Sequence, residues 1–162
     1  MEPTNRTYDP VAVANFFIQK SLDTGIEVTP MKLLKLVYIS HGWSLALLDA
    51  PLIDEAVEAW TYGPVIPSLY RELKEYGRAR VTKLVTSFDW NSFKFSSTPV
   101  VPEEDAGVQK LLNYVWQGYG HNTGLHLSAI THEPGTPWSQ TPHNGIIPQN
   151  TIKEHYRMLA KM

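Results

Sequence analysis

The stretch TPMKLLKLVYISHGWSLALLD, residues 29–49, constrains the fold more than any other part of the sequence. It opens with a threonine and a proline, which is typical of a helix start because the hydroxyl caps free amides and proline fits the first helical position. Apart from His41, no acidic or basic residue occurs between Lys35 and Asp49, and apolar residues lie on most sides of the helix. A helix of this kind is buried. The uncharged run is too short to cross a membrane, which needs about 20 residues, so we predict a central core helix over about residues 30–48.

Helical spacing of apolar residues predicts further helices on both sides of this core helix. The first runs from about Pro10 to Leu22, and the third follows Pro67 and is closed by Gly77. Gly42 lies in the middle of the core helix, where glycine costs about 1 kcal/mol relative to alanine. We therefore expect another helix to cross closely at this glycine.

Three more helices are predicted in the second half of the sequence. The acidic trio at residues 103–105 suits the positive end of a helix dipole, and the apolar residues that follow, from Val108 to Tyr119, keep helical spacing. A fifth helix is expected to begin at Asn122 or Thr123, which makes a mainly α-helical fold of about six helices. The residues expected to face the core in the fifth helix are Leu125, Ala129 and Ile130, and a last helix is expected to carry Ile152, Tyr156 and Leu159.

Two segments favour extended structure. Residues 55–60 alternate loosely between polar and apolar positions, which permits a short strand. Residues 78–102 break the helical pattern, and the pieces RVTKLV and SFKFSS predict a small β hairpin or an irregular excursion near residues 80–97. Surface loops vary and often carry function, so we expect this segment to be a variable surface loop.

Composition and charge exclude several classes of protein. With 162 residues, of which 43% are hydrophobic, one core is sufficient, and we expect a single domain over residues 1–162. A formal net charge of -2 provides no field that would attract nucleic acid or an anionic membrane. The absence of cysteine excludes disulfides and cysteine nucleophiles. Because MEPTNRTYDP has no signal-peptide pattern, we expect a cytoplasmic protein.

The six histidines form no recognisable metal-binding or catalytic pattern. No HExxH, GxSxG, GxGxxG or P-loop motif occurs, so we expect no catalytic, cofactor-binding or metal-binding residues and no enzyme activity. We interpret His41 as a hydrogen-bonded core residue and His132 as a tether at the end of its helix. The alternative is a metal-dependent hydrolase that uses these two histidines and nearby carboxylates, and it rests only on the number of histidines.

Aromatic residues at loop and helix-end positions are the remaining unusual feature. Such side chains are enriched where proteins bind proteins, because they provide a large contact area at little cost in side-chain entropy. Core packing beneath proline-rich turns explains any one of them, but together they indicate a binding surface. The residues concerned are Trp60, Tyr62, Tyr70, Tyr76, Trp90 and Trp138.

Two motifs occur together in this sequence, AWTYGPVIPSLY at residues 59–70 and THEPGTPW at residues 131–138. With ANFFI at 14–18 and MKLLKLVYISHG at 31–42, they resemble the Panacea domain, also described as the SocA-like antitoxin or phage-associated GepA-like family. The resemblance covers nearly the whole sequence. The combination of the two motifs is specific, whereas either one alone would be weak. Residues 78–102 match no pattern of the family.

The resemblance implies a mostly α-helical domain of bacteria and phages, encoded beside a toxin that it neutralises by binding. Some members resemble adaptors that deliver a toxin to an ATP-dependent protease, and members are not known as enzymes. We therefore predict an antitoxin whose partner is a cognate protein toxin; the alternative is a phage-derived regulator that binds a host protein. The predicted partner-binding residues are Trp60, Tyr62, Pro64, Tyr70, Trp90, His132 and Trp138.

Overall fold

The computed structural model describes residues 6–86, 88–89, 92–95 and 98–162. In this part of the chain the fold is mainly α-helical with six α-helices, as the sequence predicts, and it has two short antiparallel hairpins where the sequence predicted one. Short 3₁₀ turns follow the third helix and the fifth. The elements are α1 (Pro10–Thr24), α2 (Pro30–Leu47), β1 (Glu58–Trp60), β2 (Gly63–Val65), α3 (Pro67–Leu73), β3 (Phe88–Asp89), β4 (Lys94–Phe95), α4 (Ala106–Tyr119), α5 (Gly124–Thr131) and α6 (Gln149–Ala160).

The central helix α2 is enclosed by the other helices. Thr29 caps it, because its hydroxyl accepts a hydrogen bond from the amide of Lys32 at 3.3 Å. Every residue from 32 to 42 is buried, and α1, α4, α5 and α6 all pack against this helix. The prediction of a core helix surrounded by the rest of the chain is confirmed, and its physical basis is the absence of any polar face on α2.

Gly42 lies at a close approach between α2 and α6. A Cβ atom added at this glycine would overlap the ring of Tyr156, which lies on α6. The predicted close crossing is therefore present, and the glycine allows two helices to approach closely enough for an aromatic ring to lie against the backbone. The Tyr156 ring also makes edge contacts with Trp43, at 5.1 Å between ring centroids, and with Tyr38, at 6.2 Å.

The face that α5 turns toward the core differs from the sequence prediction. Leu125 is 76% exposed and Ala129 is exposed, so the expectation that they point inward is wrong. Leu127, Ser128 and Thr131 are buried instead. The two hydroxyl side chains tolerate burial because each donates a hydrogen bond to a carbonyl oxygen. Hydrophobicity alone therefore selected the wrong side of this short helix.

The segment between α3 and α4 is an excursion anchored at its base by Asn15 of α1. The Asn15 side-chain amide donates to the carbonyl oxygens of Val85 and Pro99, at 2.9 and 2.8 Å, and its oxygen accepts from the Val85 amide at 2.8 Å. The predicted hairpin near residues 80–97 is confirmed as the pair β3 and β4. One buried amide thus joins the two ends of the excursion to the core.

Candidate functional site: an aromatic groove beside the first hairpin

The motif AWTYGPV forms the hairpin of β1 and β2, in which Trp60 pairs with Gly63 across a two-residue connection. Gly63 has a φ of +117°, a backbone conformation that side chains rarely adopt. A Cβ at this position would also lie 3.1 Å from Nζ of Lys35. Glycine is therefore required here for the turn and for the close approach of a lysine from α2. The sequence had indicated a turn at this glycine, whereas the strand β2 was not predicted.

A second backbone segment, residues 144–147, lies along the other edge of β1. The amide of Ala59 donates to the Gly145 carbonyl at 2.9 Å, and the amide of Asn144 donates to the Ala59 carbonyl at 2.7 Å. The Ile147 amide then donates to Val57 at 2.8 Å. Because β1 has hydrogen-bonded neighbours on both edges, the hairpin is held in a fixed position, and the side chains that it carries are held with it.

An open groove of about 440 Å³ lies between α2, the hairpin and α3, and we call it the aromatic groove. The rings of Trp60 and Tyr70 meet edge to face at its wall, with 5.1 Å between their centroids. Tyr62 is 68% exposed and Tyr70 is 41% exposed. The residues that line the groove are Pro30, Met31, Leu34, Lys35, Trp60, Thr61, Tyr62, Val65, Tyr70, Lys74, Gly77 and Asn144.

The second family-like motif, THEPGTPW, supports the hairpin. The indole nitrogen of Trp138 donates to the Trp60 carbonyl at 2.6 Å, and the His132 ring packs edge to face on Trp138 at 5.2 Å. His132 also bonds to the carbonyl of Ser128 through Nδ1, while the Ser128 hydroxyl donates to the Tyr62 carbonyl at 2.5 Å. The two motifs, far apart in the sequence, therefore form one hydrogen-bonded unit beneath the groove.

Lys35 is the most unusual residue of the groove, because it is a lysine of α2 that is only 1% exposed. Its ammonium donates to the carbonyl oxygen of Pro64 at 3.0 Å. Burial disfavours the charged form and lowers the pKa of Lys35 to about 7. The sequence analysis did not select this residue, although a lysine in a helix that is otherwise apolar on most sides was the available signal.

The predicted partner-binding residues fall into three groups. Trp60, Tyr62 and Tyr70 line the aromatic groove. Pro64 is buried and contributes its carbonyl to Lys35, whereas His132 and Trp138 lie behind the hairpin as its support. Trp90 lies outside the described residues. Contact with a partner stays a prediction for all seven positions.

His41 is fully buried in α2, in agreement with its interpretation as a core residue. Its Nδ1 accepts a hydrogen bond from the Leu52 amide at 3.2 Å, and its Nε2 has no partner among the described residues. Burial lowers the pKa of His41 to about 4, so the ring is neutral at physiological pH. Within the described ranges, no three His, Asp or Glu side chains are grouped so that they could hold a metal ion.

A second cavity, of about 460 Å³, lies between α2, α6 and the segment that follows α5. Tyr38 is among the residues that line it, and its buried hydroxyl has no hydrogen-bond partner in the described part of the chain. None of the predicted partner-binding residues lines this cavity. The aromatic groove, which brings three of them together at the surface, is therefore the stronger candidate for a binding site.

Comparison with known proteins finds a matching family and a similar protein, and both carry the name antitoxin. The family described as "Antitoxin SocA-like, Panacea domain" matches residues 33–139. Antitoxin SocA from Caulobacter vibrioides (strain NA1000 / CB15N) is 29% identical over 133 residues, which cover 82% of this chain and 70% of that protein. No solved structure matches. Among the described helices, none has the length and apolar character that crossing a membrane requires.

Proposed function

Because the chain belongs to the Antitoxin SocA-like, Panacea domain family, we propose that it is an antitoxin that neutralises a cognate protein toxin by binding it directly. The observation that carries the proposal is the family match over residues 33–139, together with the similarity to a protein named antitoxin SocA over most of the chain. In this proposal the protein acts by binding and not by catalysis.

We propose further that the toxin contacts the aromatic groove. Tyr62 and Tyr70 present large rings to solvent, and β1, the strand that precedes Tyr62, is hydrogen-bonded on both of its edges. Rigid, exposed aromatic side chains are the residues that most often dominate the energy of a protein interface. A stable interface buries about 800 Å² on each partner, so the groove would form the centre of a larger contact surface.

Residues 1–162 are proposed to act as a single domain. The helices α1 and α6 lie outside the matched range of 33–139, yet both pack on α2, which lies largely inside it. The Tyr156 ring of α6 fills the space opposite Gly42. Deleting either terminal helix would uncover apolar surface of the central helix, so we expect the toxin-binding unit to need both.

Co-expression with the product of the adjacent gene tests the proposed function. We expect a stable complex with the tagged protein and restored growth of a host in which the adjacent gene alone is toxic. Tyr70→Ala is expected to weaken the complex about tenfold or more, since truncation of a central aromatic residue commonly costs more than 1 kcal/mol. Absence of both a complex and growth rescue would refute the antitoxin function.

Leu125→Ala serves as the matched control for these groove variants. Leu125 is 76% exposed and does not line the groove, so its truncation removes an exposed apolar side chain elsewhere on the surface. We expect it to leave toxin binding and growth rescue unchanged. If Leu125→Ala and Tyr70→Ala weakened the complex equally, the result would contradict binding of the toxin at the groove.

Two modes of neutralisation follow from binding, and the half-life of the toxin in the cell separates them. A toxin inhibited within the complex persists when the antitoxin is present. A toxin handed to an ATP-dependent protease disappears faster with the antitoxin than without it, and deletion of that protease restores it. The proposed binding step is common to both modes.

A further inference from the structure

The lining of the aromatic groove carries charge of one sign only. Its two ionisable groups other than tyrosine are the ammonium groups of Lys35 and Lys74, and no Asp or Glu is among the lining residues. Glu58, the carboxylate bonded to this wall, accepts from the indole of Trp60 at 3.0 Å and does not itself line the groove. The groove therefore offers positive charge within a mainly apolar surface.

Lys35 is the first of these two lysines and lies at the floor of the groove, where its lowered pKa leaves it partly protonated near neutral pH. A lysine ammonium has three donor hydrogens, and in the described chain the hydrogen bond to the Pro64 carbonyl is the one that Lys35 makes. Burial of a cation with so few partners is unfavourable, and burial lowers its pKa. An anion bound in the groove would offset this cost.

Lys74 supplies the second charge at the rim, in the 3₁₀ turn that follows α3. Its side chain is exposed and forms no ion pair within the part of the chain that the structure describes. An exposed lysine beside an aromatic wall attracts an acidic group from solution. The buried lysine below it then interacts with the bound acidic group more strongly than it would in water, because electrostatic interactions are less screened away from water.

We propose that the groove takes a short segment of the toxin in which an aspartate or glutamate stands beside an apolar or aromatic side chain. The carboxylate is directed toward the lysine pair, and the neighbouring side chain packs against Trp60 and Tyr70. The volume of about 440 Å³ suits one or two side chains. This inference rests on the proposed function only for the source of the segment, because the charge and shape of the groove are independent of it.

Selection of random peptides displayed on phage against the intact protein tests the chemistry of the groove without the toxin. We expect enriched sequences to combine Asp or Glu with an adjacent aromatic or aliphatic residue. A synthetic peptide of the enriched sequence should bind about tenfold or more weakly to Lys74→Glu, where like charges repel, and a few-fold more weakly to Lys74→Gln. Its affinity should also fall as salt rises from about 50 to about 500 mM.

Lys161→Glu is the matched control, since Lys161 is also exposed but does not line the groove. We expect it to bind the peptide as the wild type does. Lys35→Met tests the buried charge: it should reduce affinity and weaken the dependence on salt. If this variant does not fold, the comparison of Lys74→Glu with Lys161→Glu decides the question on its own.

Several outcomes would overturn the inference. They are enrichment of basic or purely apolar peptides, no enrichment at all, or equal binding of an acidic peptide to Lys74→Glu and the wild type. If Lys74→Glu binds the toxin as tightly as the wild type does, the proposal that an acidic segment of the toxin binds in the groove is refuted. The proposed antitoxin function is not affected by that result. Failure to bind the product of the adjacent gene, with acidic peptides still captured by the groove, would refute the function and leave the chemistry of the groove standing.

Discussion

Two aromatic clusters that pack beside helix α2 differ in what covers them. In the first, between α2 and α6, the rings of Tyr38 and Trp43 each make an edge contact with Tyr156, at 6.2 and 5.1 Å between centroids, and Tyr38 and Tyr156 are buried. In the second, at the aromatic groove, Trp60 and Tyr70 meet at a similar 5.1 Å, and Tyr70 is exposed. Ring geometry is therefore alike in both clusters, and the exposure of the rings is what separates them. Tyrosines of the buried cluster should support folding, whereas those of the groove should support binding.

The largest expected effect separates Tyr156 from Tyr62, which are 3% and 68% exposed. Tyr156→Ala leaves a cavity between α2 and α6, and we expect it to lower the free energy of unfolding by about 3–5 kcal/mol. Tyr62→Ala should change it by no more than about 0.5 kcal/mol. Urea denaturation followed by circular dichroism measures both. A comparable loss in the two variants would show that the buried cluster and the groove do not differ in their contribution to stability.

Two glycines sharpen the same contrast with a smaller expected effect. Gly42→Ala forces a methyl group into the Tyr156 ring, and we expect a loss of about 2 kcal/mol from overpacking. At Gly118 of α4 an added Cβ meets nothing within 4 Å, so Gly118→Ala should stabilise the protein by about 0.5–1 kcal/mol through helix propensity. Thermal unfolding of the two variants measures the difference. Stabilisation by both would mean that α6 moves away from α2 at little cost.

Lys35 of α2 lies at the floor of the aromatic groove, and its pKa makes stability depend on pH. The folded protein releases this proton near a pKa of about 7, whereas the unfolded chain releases it near 10.5. Between these values the unfolded state binds more protons, so stability rises with pH through this window and is lost as pH falls toward 7.

We expect this group to contribute about 2 kcal/mol of added stability between about pH 7 and about pH 9. Lys35→Met removes the titrating group, so the free energy of unfolding of this variant should rise by about 2 kcal/mol less than that of the wild type. Urea titrations of both proteins at the two pH values measure the difference, and the remaining groups cancel in the comparison. Parallel curves for wild type and variant would contradict the lowered pKa of Lys35.

The smallest expected effect compares two buried serines. Ser128 donates to the Tyr62 carbonyl in the hairpin, and Ser40 donates to Leu36 within α2. Each serine-to-alanine change should cost about 1 kcal/mol. The Ser128→Ala variant alone should also weaken toxin or peptide binding, because it loosens the wall of the groove. Binding measured beside stability separates the two variants, and equal binding would show that the wall needs no such support.

The sequence predicted the helices well because each carries its own local signals. Thr29, Asp105 and Thr123 all cap helices with their side chains, as hydroxyl and carboxylate residues do at such positions. The burial of α2 followed from the apolar residues on most of its sides. Prediction was wrong for the inward face of α5, since Ser128 and Thr131 are buried through hydrogen bonds to carbonyl groups that only the folded chain brings near.

The candidate site was predicted only in part. Aromatic content and the two motifs selected Trp60, Tyr62 and Tyr70, which do line one groove. Nothing local marked Asn144, whose place beside β1 depends on a backbone pairing across more than eighty residues. The sequence analysis did not select Lys35, because a lysine in a helix normally reaches solvent. Its burial depends on the folded hairpin, which places the Pro64 carbonyl where the ammonium can donate to it.

By itself the sequence determined the helical class, the central helix and the membership suggested by its motifs, because periodicity, capping residues and turn residues act over a few positions of the chain. Tertiary structure alone decided which aromatic residues are enclosed and which are open, and that two lysines share a groove without a carboxylate. The physical reason is that burial and charge pairing depend on neighbours distant in sequence. Tyr38 and Tyr62 are the same residue type, and only the packing of α6 and of the hairpin makes one a core side chain and the other an exposed side chain.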